Sequence, residues 1–219
     1  MSNPKKKYHE LFCGIICNED QERFKQAILS GENQVIIADA TAGAGKTLIA
    51  IACAKQLVSY GDFDGAVYVF PVVEEGSLGF RPGSAVEKEA DYLEPLYDAL
   101  LAINEVPSRV ISSDITEKNG TAWITARSAT FMRGINFKKK VIIVDECQNM
   151  SVPIIKRILS RAHDDCRIII CGCRSQTDIP ISKSGFKQLI DHMRDYEGCV
   201  QCELPISYRG KLAMHVDKL

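Results

Sequence analysis

The sequence has no apolar run near the roughly 18 residues that would cross a bilayer as a helix, so no part of it reads as a membrane segment. It also lacks internal repeats and low-complexity tracts, which excludes solenoids and disordered arrays. Net charge is nearly absent. Twenty-seven basic and 28 acidic side chains leave −1, so no overall field draws polyanions to the chain, and affinity for them must come from a local patch. A secretory leader or lipid anchor is not expected either. Lys5, Lys6 and Lys7 precede an apolar stretch at residues 11–17, but that stretch is short, contains Gly14 and runs straight into the polar residues 18–23.

What remains suits one α/β domain. A chain of 219 residues, 46% hydrophobic, can build a full core but leaves no room for two ordinary domains or an appended one. Nine cysteines without a leader fit a reducing compartment better than a disulfide framework, which points to the cytoplasm.

Strand and helix patterns alternate along the chain. A short helix is expected at residues 20–29, a β-branched strand at 34–39, and a glycine-rich turn at 40–45. A helix at 46–59 follows, with Ile49, Cys53 and Leu57 on one face. A second strand falls at 66–70, a glycine-bearing excursion at 71–83, a helix at 85–103 and a short strand at 123–126. The continuous β-branched run at 141–144 predicts a strand buried on both faces. Beyond it come a helix at 151–162 capped by Ser151, a buried strand at 167–172, a helix at 184–194, a strand at 199–204 and a short C-terminal helix. The pattern predicts a three-layer, doubly wound, mostly parallel sheet of the RecA-like P-loop NTPase sort, with residues 1–17 as an N-terminal extension and 18–219 as the domain.

The residues Ala40-Thr41-Ala42-Gly43-Ala44-Gly45-Lys46-Thr47 form a Walker A loop, except that alanine replaces glycine at its first position. In such a turn the backbone N–H groups point inward at a phosphate and the following helix N-terminus adds positive potential. Lys46 reaches the β- and γ-phosphates and the Thr47 hydroxyl ligates Mg²⁺. Ala40 would matter only if its position required a positive φ. The strand ending at Val144 carries Asp145 to the sheet edge, where it can join the Mg²⁺ shell, and Glu146 beside it can polarise a water attacking the γ-phosphate.

Further segments carry a family resemblance. Gly76-Ser77-Leu78-Gly79-Phe80-Arg81-Pro82-Gly83, Glu87-Lys88, Pro95-Leu96-Tyr97-Asp98-Ala99-Leu100, Phe131-Met132-Arg133-Gly134 and Asp145-Glu146-Cys147-Gln148-Asn149 resemble elements of the PhoH-like ATPases, in order, over nearly the whole chain. The resemblance implies ATP hydrolysis with Mg²⁺, a helicase-like role on RNA or DNA, and ring formation. It implies that Gln21 reads adenine, although a solvated helix residue is the alternative. It further implies that Gln176 senses the γ-phosphate and that Arg209 clamps the transferring phosphoryl group, within the chain or across a subunit boundary. A surface arginine is the alternative for Arg209. Cys173 stands where the family has aspartate and Gly210 where it has histidine, which puts the metal shell and sensor details in question.

Weaker patterns stay open. Arg81, Lys88, Arg127, Arg133 and Lys138 to Lys140, with Phe80, Tyr92, Trp123 and Phe131, could form a cationic groove with stacking aromatics near the sheet's C-terminal edge, as single strands need. They could equally be solvated turns and core. Cys171, Cys173, Cys199 and Cys202 could hold zinc, but extended backbone would point Cys199 and Cys202 to opposite faces and favours buried thiols. The expected function is an ATPase coupled to single-stranded nucleic acid, working as an oligomer such as a hexamer. The alternatives are a nucleoside kinase of the thymidine-kinase type and an oligomeric ATP-binding switch with weak hydrolysis.

Overall fold

The computed structural model describes residues 14–72, 91–132 and 134–216. Six strands make one sheet: β1 (Val35–Ala40), β2 (Ala66–Phe70), β3 (Ile124–Ser128), β4 (Val141–Val144), β5 (Arg167–Gly172) and β6 (Cys199–Leu204). Their order is β3-β2-β4-β5-β1-β6 and every pairing is parallel. Parallel neighbours need crossover connections, which run through helices α2 (Lys46–Ser59), α3 (Glu94–Ala102), α4 (Pro107–Val110), α5 (Asp114–Lys118), α6 (Val152–Leu159) and α7 (Phe186–His192), while α1 (Glu19–Leu29) precedes β1 and α8 (Lys211–Val216) follows β6.

Side-chain alternation along the strands divides the core in two. Ile36 and Ala38 of β1 join Tyr68, Ile143 and Ile169 on one face, covered by Phe24 and Ile28 of α1, Ile49, Cys53 and Leu57 of α2, and Leu96 and Leu100 of α3. Val35 and Ile37 join Val69, Ile142, Ile168 and Ile170 on the other, beneath Ile155 and Ile158 of α6 and Phe186 and Leu189 of α7. Both faces of the central strands are covered, which is why β4 and β5 read as unbroken apolar runs. The three-layer, doubly wound RecA-like architecture expected from the sequence is present. Because all six strands run the same way, their C-terminal ends share one edge, where open α/β sheets place their ligands.

Differences from the sequence reading have local causes. The helix expected at 85–103 is described from a 3₁₀ turn at Asp91–Leu93 through α3, and residues 85–90 lie outside the described residues. Helices α4 and α5, which fall between the helix expected at 85–103 and the strand expected at 123–126, are too short to show periodicity. Yet α5 carries a capping box in which Ser113 and Thr116 satisfy each other's backbone N–H groups. The helix expected to reach residue 162 ends at Leu159, because Ala162 instead bridges to Phe137. Ser151 occupies the N-cap of α6 without a side-chain capping bond. Lys138 to Lys140 precede β4 and therefore lie at the N-terminal edge, away from the C-terminal edge that a groove there would need. Lys139 pairs with Asp64 at 3.1 Å, and the Lys140 ammonium donates to the Asp64 carbonyl at 3.0 Å.

Candidate nucleotide-binding site

The glycine-rich turn joins β1 to α2 at the C-terminal edge. Ala40 closes β1, paired with Leu204, and is not among the positive-φ residues, so its methyl group costs nothing there. Gly43 and Gly45 do need their freedom. They adopt φ of 74° and 80°, which lets the backbone fold back on itself at the start of α2. A Cβ on Gly43 would come within 2.5 Å of the Arg209 Cγ.

The segment after β6 closes over this turn from above. Thr41 N–H and Oγ1 both donate to the Leu204 carbonyl, at 3.1 and 2.9 Å. Ser207 Oγ donates to Ala42 O at 2.8 Å, and Tyr208 N–H donates to Gly43 O at 3.0 Å. The stem of the exposed Arg209 thereby lies against the Gly43 backbone of its own chain. From the other side, α1 contributes Gln21. This buried residue forms a capping box with Asn18, accepting from Asn18 N–H at 2.9 Å, and donates through Nε2 to the Ala44 carbonyl at 2.9 Å. Asn18 Nδ2 also reaches the Tyr208 hydroxyl at 2.8 Å. Both ends of the Gln21 carboxamide are thus engaged with protein, although its second N–H and second lone pair stay available.

Beneath the turn, β4 delivers two carboxylates. Asp145 is fully buried. Its Oδ2 accepts from Thr47 Oγ1 at 2.8 Å and from the Tyr68 hydroxyl at 2.9 Å, and its Oδ1 accepts from Glu146 N–H at 3.0 Å. Burial pushes the Asp145 carboxyl above the ordinary aspartate range, with Glu146 acting in the same direction, while Lys46 and the hydrogen bonds from Thr47 and Tyr68 offset part of the rise. Burial and the neighbouring Asp145 hold the Tyr68 phenol well above its usual value, so it remains a donor.

Glu146 has φ 48°, in the left-handed region that costs a residue with a Cβ about 1–2 kcal/mol. That backbone turns its carboxylate toward Lys46, whose Nζ lies 3.1 Å from Glu146 Oε1. Burial works to lower the Lys46 pKa, but Glu146 and Asp145 outweigh it and hold the ammonium above the ordinary lysine value.

The turn Cys147–Asn149 braces the neighbouring loop. Gln148 donates through Nε2 to Glu146 Oε2 and accepts through Oε1 from Cys173 N–H at 3.1 Å. Asn149 donates to Asp178 Oδ2 at 2.6 Å and accepts from Asp178 N–H at 2.8 Å. Gln176 rides on the loop so held and is half-buried. Cys173 meets this machinery only through its N–H, while its Sγ lies 3.1 Å from Ser175 Oγ. At the end of β1, Asp39 receives the Arg174 N–H at 3.0 Å and pairs with the Arg174 guanidinium, which also reaches Glu203 at 3.3 Å.

Of the residues singled out from the sequence, Thr41 to Thr47, Gln21, Asp145, Glu146 and Arg209 converge on one locus, with Gln176 on the loop braced beside it. Tyr68, Gln148, Ser207 and the Asp39–Arg174 pair were not anticipated. A tyrosine inside a β-branched strand reads as core, but the Asn18-x-x-Gln21 capping box was legible. The aromatic groove expected nearby is mostly absent among the described residues. Trp123 is buried with Lys55 over its ring at 5.0 Å, and Tyr92 stacks on Phe70. Phe80, Arg81, Lys88 and Arg133 lie outside the described residues. Arg127 and Phe131 remain, both exposed. Cys199 packs on one face of the sheet and Cys202 on the other, so their side chains diverge.

A strand, a positive-φ glycine turn, a lysine-threonine helix start and a carboxylate pair two strands away define a P-loop NTPase. The family model described as "PhoH-like protein" matches residues 16–212, and the chain belongs to that family. It is 34% identical over 165 residues to the PhoH-like protein of Synechocystis sp., covering 74% of this chain and 48% of that one. It is 33% identical over 164 residues to Protein PhoH of Escherichia coli K12, covering 74% and 45%. The chain spans about half the length of these curated relatives. A more distant likeness, 16% identical with a TM-score of 0.42, is to the Sulfolobus solfataricus SWI2/SNF2 ATPase core in complex with dsDNA, covering 76% of this chain and 33% of that one. No helix among the described residues is long and apolar enough to cross a membrane.

Proposed function

We propose that this chain is a Mg²⁺-dependent ATPase that hydrolyses ATP to ADP and phosphate and couples turnover to single-stranded RNA or DNA. The carrying observation is the convergence of Thr47 with Asp145 at 2.8 Å and of Lys46 with Glu146 at 3.1 Å, from elements nearly a hundred residues apart. In this reading the backbone N–H groups of residues 41–47 cradle the β-phosphate and Lys46 spans the β- and γ-phosphates. Glu146 orients and deprotonates the attacking water. Gln176 reports the γ-phosphate. Gln21 ties α1 to the loop at Ala44 and offers its remaining N–H and lone pair to adenine. Arg209 clamps the transferring phosphoryl group, and its stem against Gly43 favours action within the chain.

The donor set fits Mg²⁺. A threonine hydroxyl touching an aspartate carboxylate gives two hard oxygens, and no cluster of three or more His, Cys, Asp or Glu among the described residues could cage an ion alone. That matches a cation that takes its remaining ligands from phosphate and water. When bound by Thr47 and Asp145, it would neutralise charge on the phosphate oxygens.

Exposed Phe131 and Arg127, at the C-terminal end of β3, support a strand-binding surface on the same edge as the phosphate site. The exposed Tyr97 and Leu101, one helical turn apart on α3, with Val106 beyond, support contacts between subunits, and we read the active species as an oligomer such as a hexamer. The test is turnover of Mg²⁺-ATP by the purified protein alone, with single-stranded RNA or DNA, and with deoxynucleosides. Hydrolysis stimulated by a strand is expected. Phosphorylated deoxynucleoside would replace this reading with a kinase, and no turnover under any condition would replace it with a binding switch.

A further inference from the structure

We infer that Gln148 is a positioning residue that sets the direction of the Glu146 carboxylate from the end of β5. The inference rests on the ATPase reading above. Gln148 is only 5% exposed, and its carboxamide is used at both ends. The NH₂ group donates to Glu146 and the carbonyl oxygen accepts from Cys173 N–H at 3.1 Å. Among side chains of this shape, the carboxamide does both at once, while the ionised carboxylate lacks the donor and the apolar isostere lacks donor and acceptor. The two ends of this bridge belong to different strands, because Glu146 follows β4 and Cys173 follows β5.

The bridge gains importance once nucleotide enters. Glu146 Oε1 pairs with Lys46, and in the ATPase reading Lys46 transfers to the phosphates. Gln148 is then the remaining side-chain partner described for Glu146, and it keeps the carboxylate directed as the general base. It also links that base to the loop carrying Gln176, since Cys173, whose N–H the Gln148 side chain accepts at 3.1 Å, opens that loop, and Asn149 grips Asp178 on both sides. A shift of the loop on sensing the γ-phosphate would therefore be felt at Glu146 through one buried side chain. The contact at position 173 runs through a backbone N–H, which any residue but proline supplies, so cysteine there does not break the bridge.

The experiment compares wild type, Gln148→Leu, Glu146→Gln and the double variant for steady-state turnover of Mg²⁺-ATP and for nucleotide affinity. Gln148→Leu should lower kcat by about 10- to 100-fold, less than the roughly 100- to 10,000-fold cost of losing a general base because Glu146 is misdirected and not removed, with KM within about threefold. Glu146→Gln combined with Gln148→Leu should be no slower than Glu146→Gln alone, because Gln148 acts through Glu146. A residue that merely supports the fold would lower the double variant further. Gln148→Glu, which keeps the acceptor for Cys173 N–H but cannot donate to Glu146, should reproduce the kcat loss and covers the case in which Gln148→Leu does not fold. Unchanged kcat in Gln148→Leu or Gln148→Glu, or additive losses in the double, overturns the inference alone. Absence of turnover in the wild type removes the ATPase reading beneath it.

Discussion

The Lys46 ammonium sits 3.1 Å from the Glu146 carboxylate, so the lysine proposed to bind phosphate is paired with the group proposed to activate water. In the ATPase reading, triphosphate competes with that carboxylate for the lysine. Glu146→Gln removes the competitor and the base together. It should bind ATP about 1.5- to 5-fold more tightly, the scale of a partly exposed ion pair, while hydrolysis stalls. Equilibrium titration with ATP and a phosphate-release assay on one preparation check both halves; weaker binding with intact turnover would contradict them.

Lys46→Ala removes the cation proposed to hold the phosphates and the ion-pair partner of Glu146. Turnover should fall below detection, and affinity should drop by at least about tenfold, as expected for a lost charged hydrogen bond. Full activity in this variant, measured by the same phosphate release, would refute the assigned site.

Gly43→Ala tests the loop's geometry without touching a charge. The residue sits at φ 74°, and an added Cβ would meet Arg209 Cγ at 2.5 Å, backed by Ser207 Oγ at 3.1 Å. The left-handed backbone and the crowding together should cost ~2 kcal/mol. For a domain of this size that lowers Tm by roughly 4–8 °C. The second variant Gly43→Ala with Arg209→Ala should recover part of the loss, and calorimetry on both reads the coupling.

Phe131 is 71% exposed although its neighbours Ala129 and Met132 are buried, and Ser128 caps the turn that presents it. An aromatic so anchored can stack on a base. Phe131→Ala should weaken single-strand binding by about 1–3 kcal/mol while leaving the salt dependence unchanged, because no charge is removed. Arg127→Ala should instead flatten the salt dependence. Fluorescence anisotropy across a salt series distinguishes the two, and unaltered affinity in Phe131→Ala would exclude the stacking role.

Much of this was legible from the chain alone, for reasons that differ by element. The helix at Lys46–Ser59 and the strands Ala66–Phe70, Val141–Val144, Arg167–Gly172 and Cys199–Leu204 coincide with the expected bounds, because glycine turns and unbroken β-branched runs mark their ends sharply. The bond from Tyr68 to Asp145 joins residues 77 apart and depends on β2 lying beside β4, an adjacency no local pattern encodes. Gln148 was visible only as one letter of a signature, and its bridge emerges once β4 and β5 are neighbours. Lys138 to Lys140 leave groove and solvated turn open, because charge and spacing carry no direction, whereas their position before the parallel strand β4 puts them at the N-terminal edge and favours the turn.

The half-buried thiols of Cys199 and Cys202 provide a pH prediction. Burial pushes each up to about 11, from 9.0 for a free thiol, so the folded chain holds these protons more tightly than the unfolded one. Their stabilising contribution is complete below about pH 9 and is lost as pH rises through about 11. Denaturant unfolding from pH 7 to 11 should show stability falling in that upper window, less steeply in the Cys199→Ala, Cys202→Ala double variant. Equal slopes would contradict the assignment.

A crystal structure with Mg²⁺ and a non-hydrolysable ATP analogue tests the central claim most directly. The account predicts the triphosphate wrapped by residues 41–47, Lys46 moved from Glu146 onto the β- and γ-phosphates, and the metal between Thr47 and Asp145. An analogue bound elsewhere, or a Lys46–Glu146 pair unchanged with the metal remote from Asp145, would contradict it.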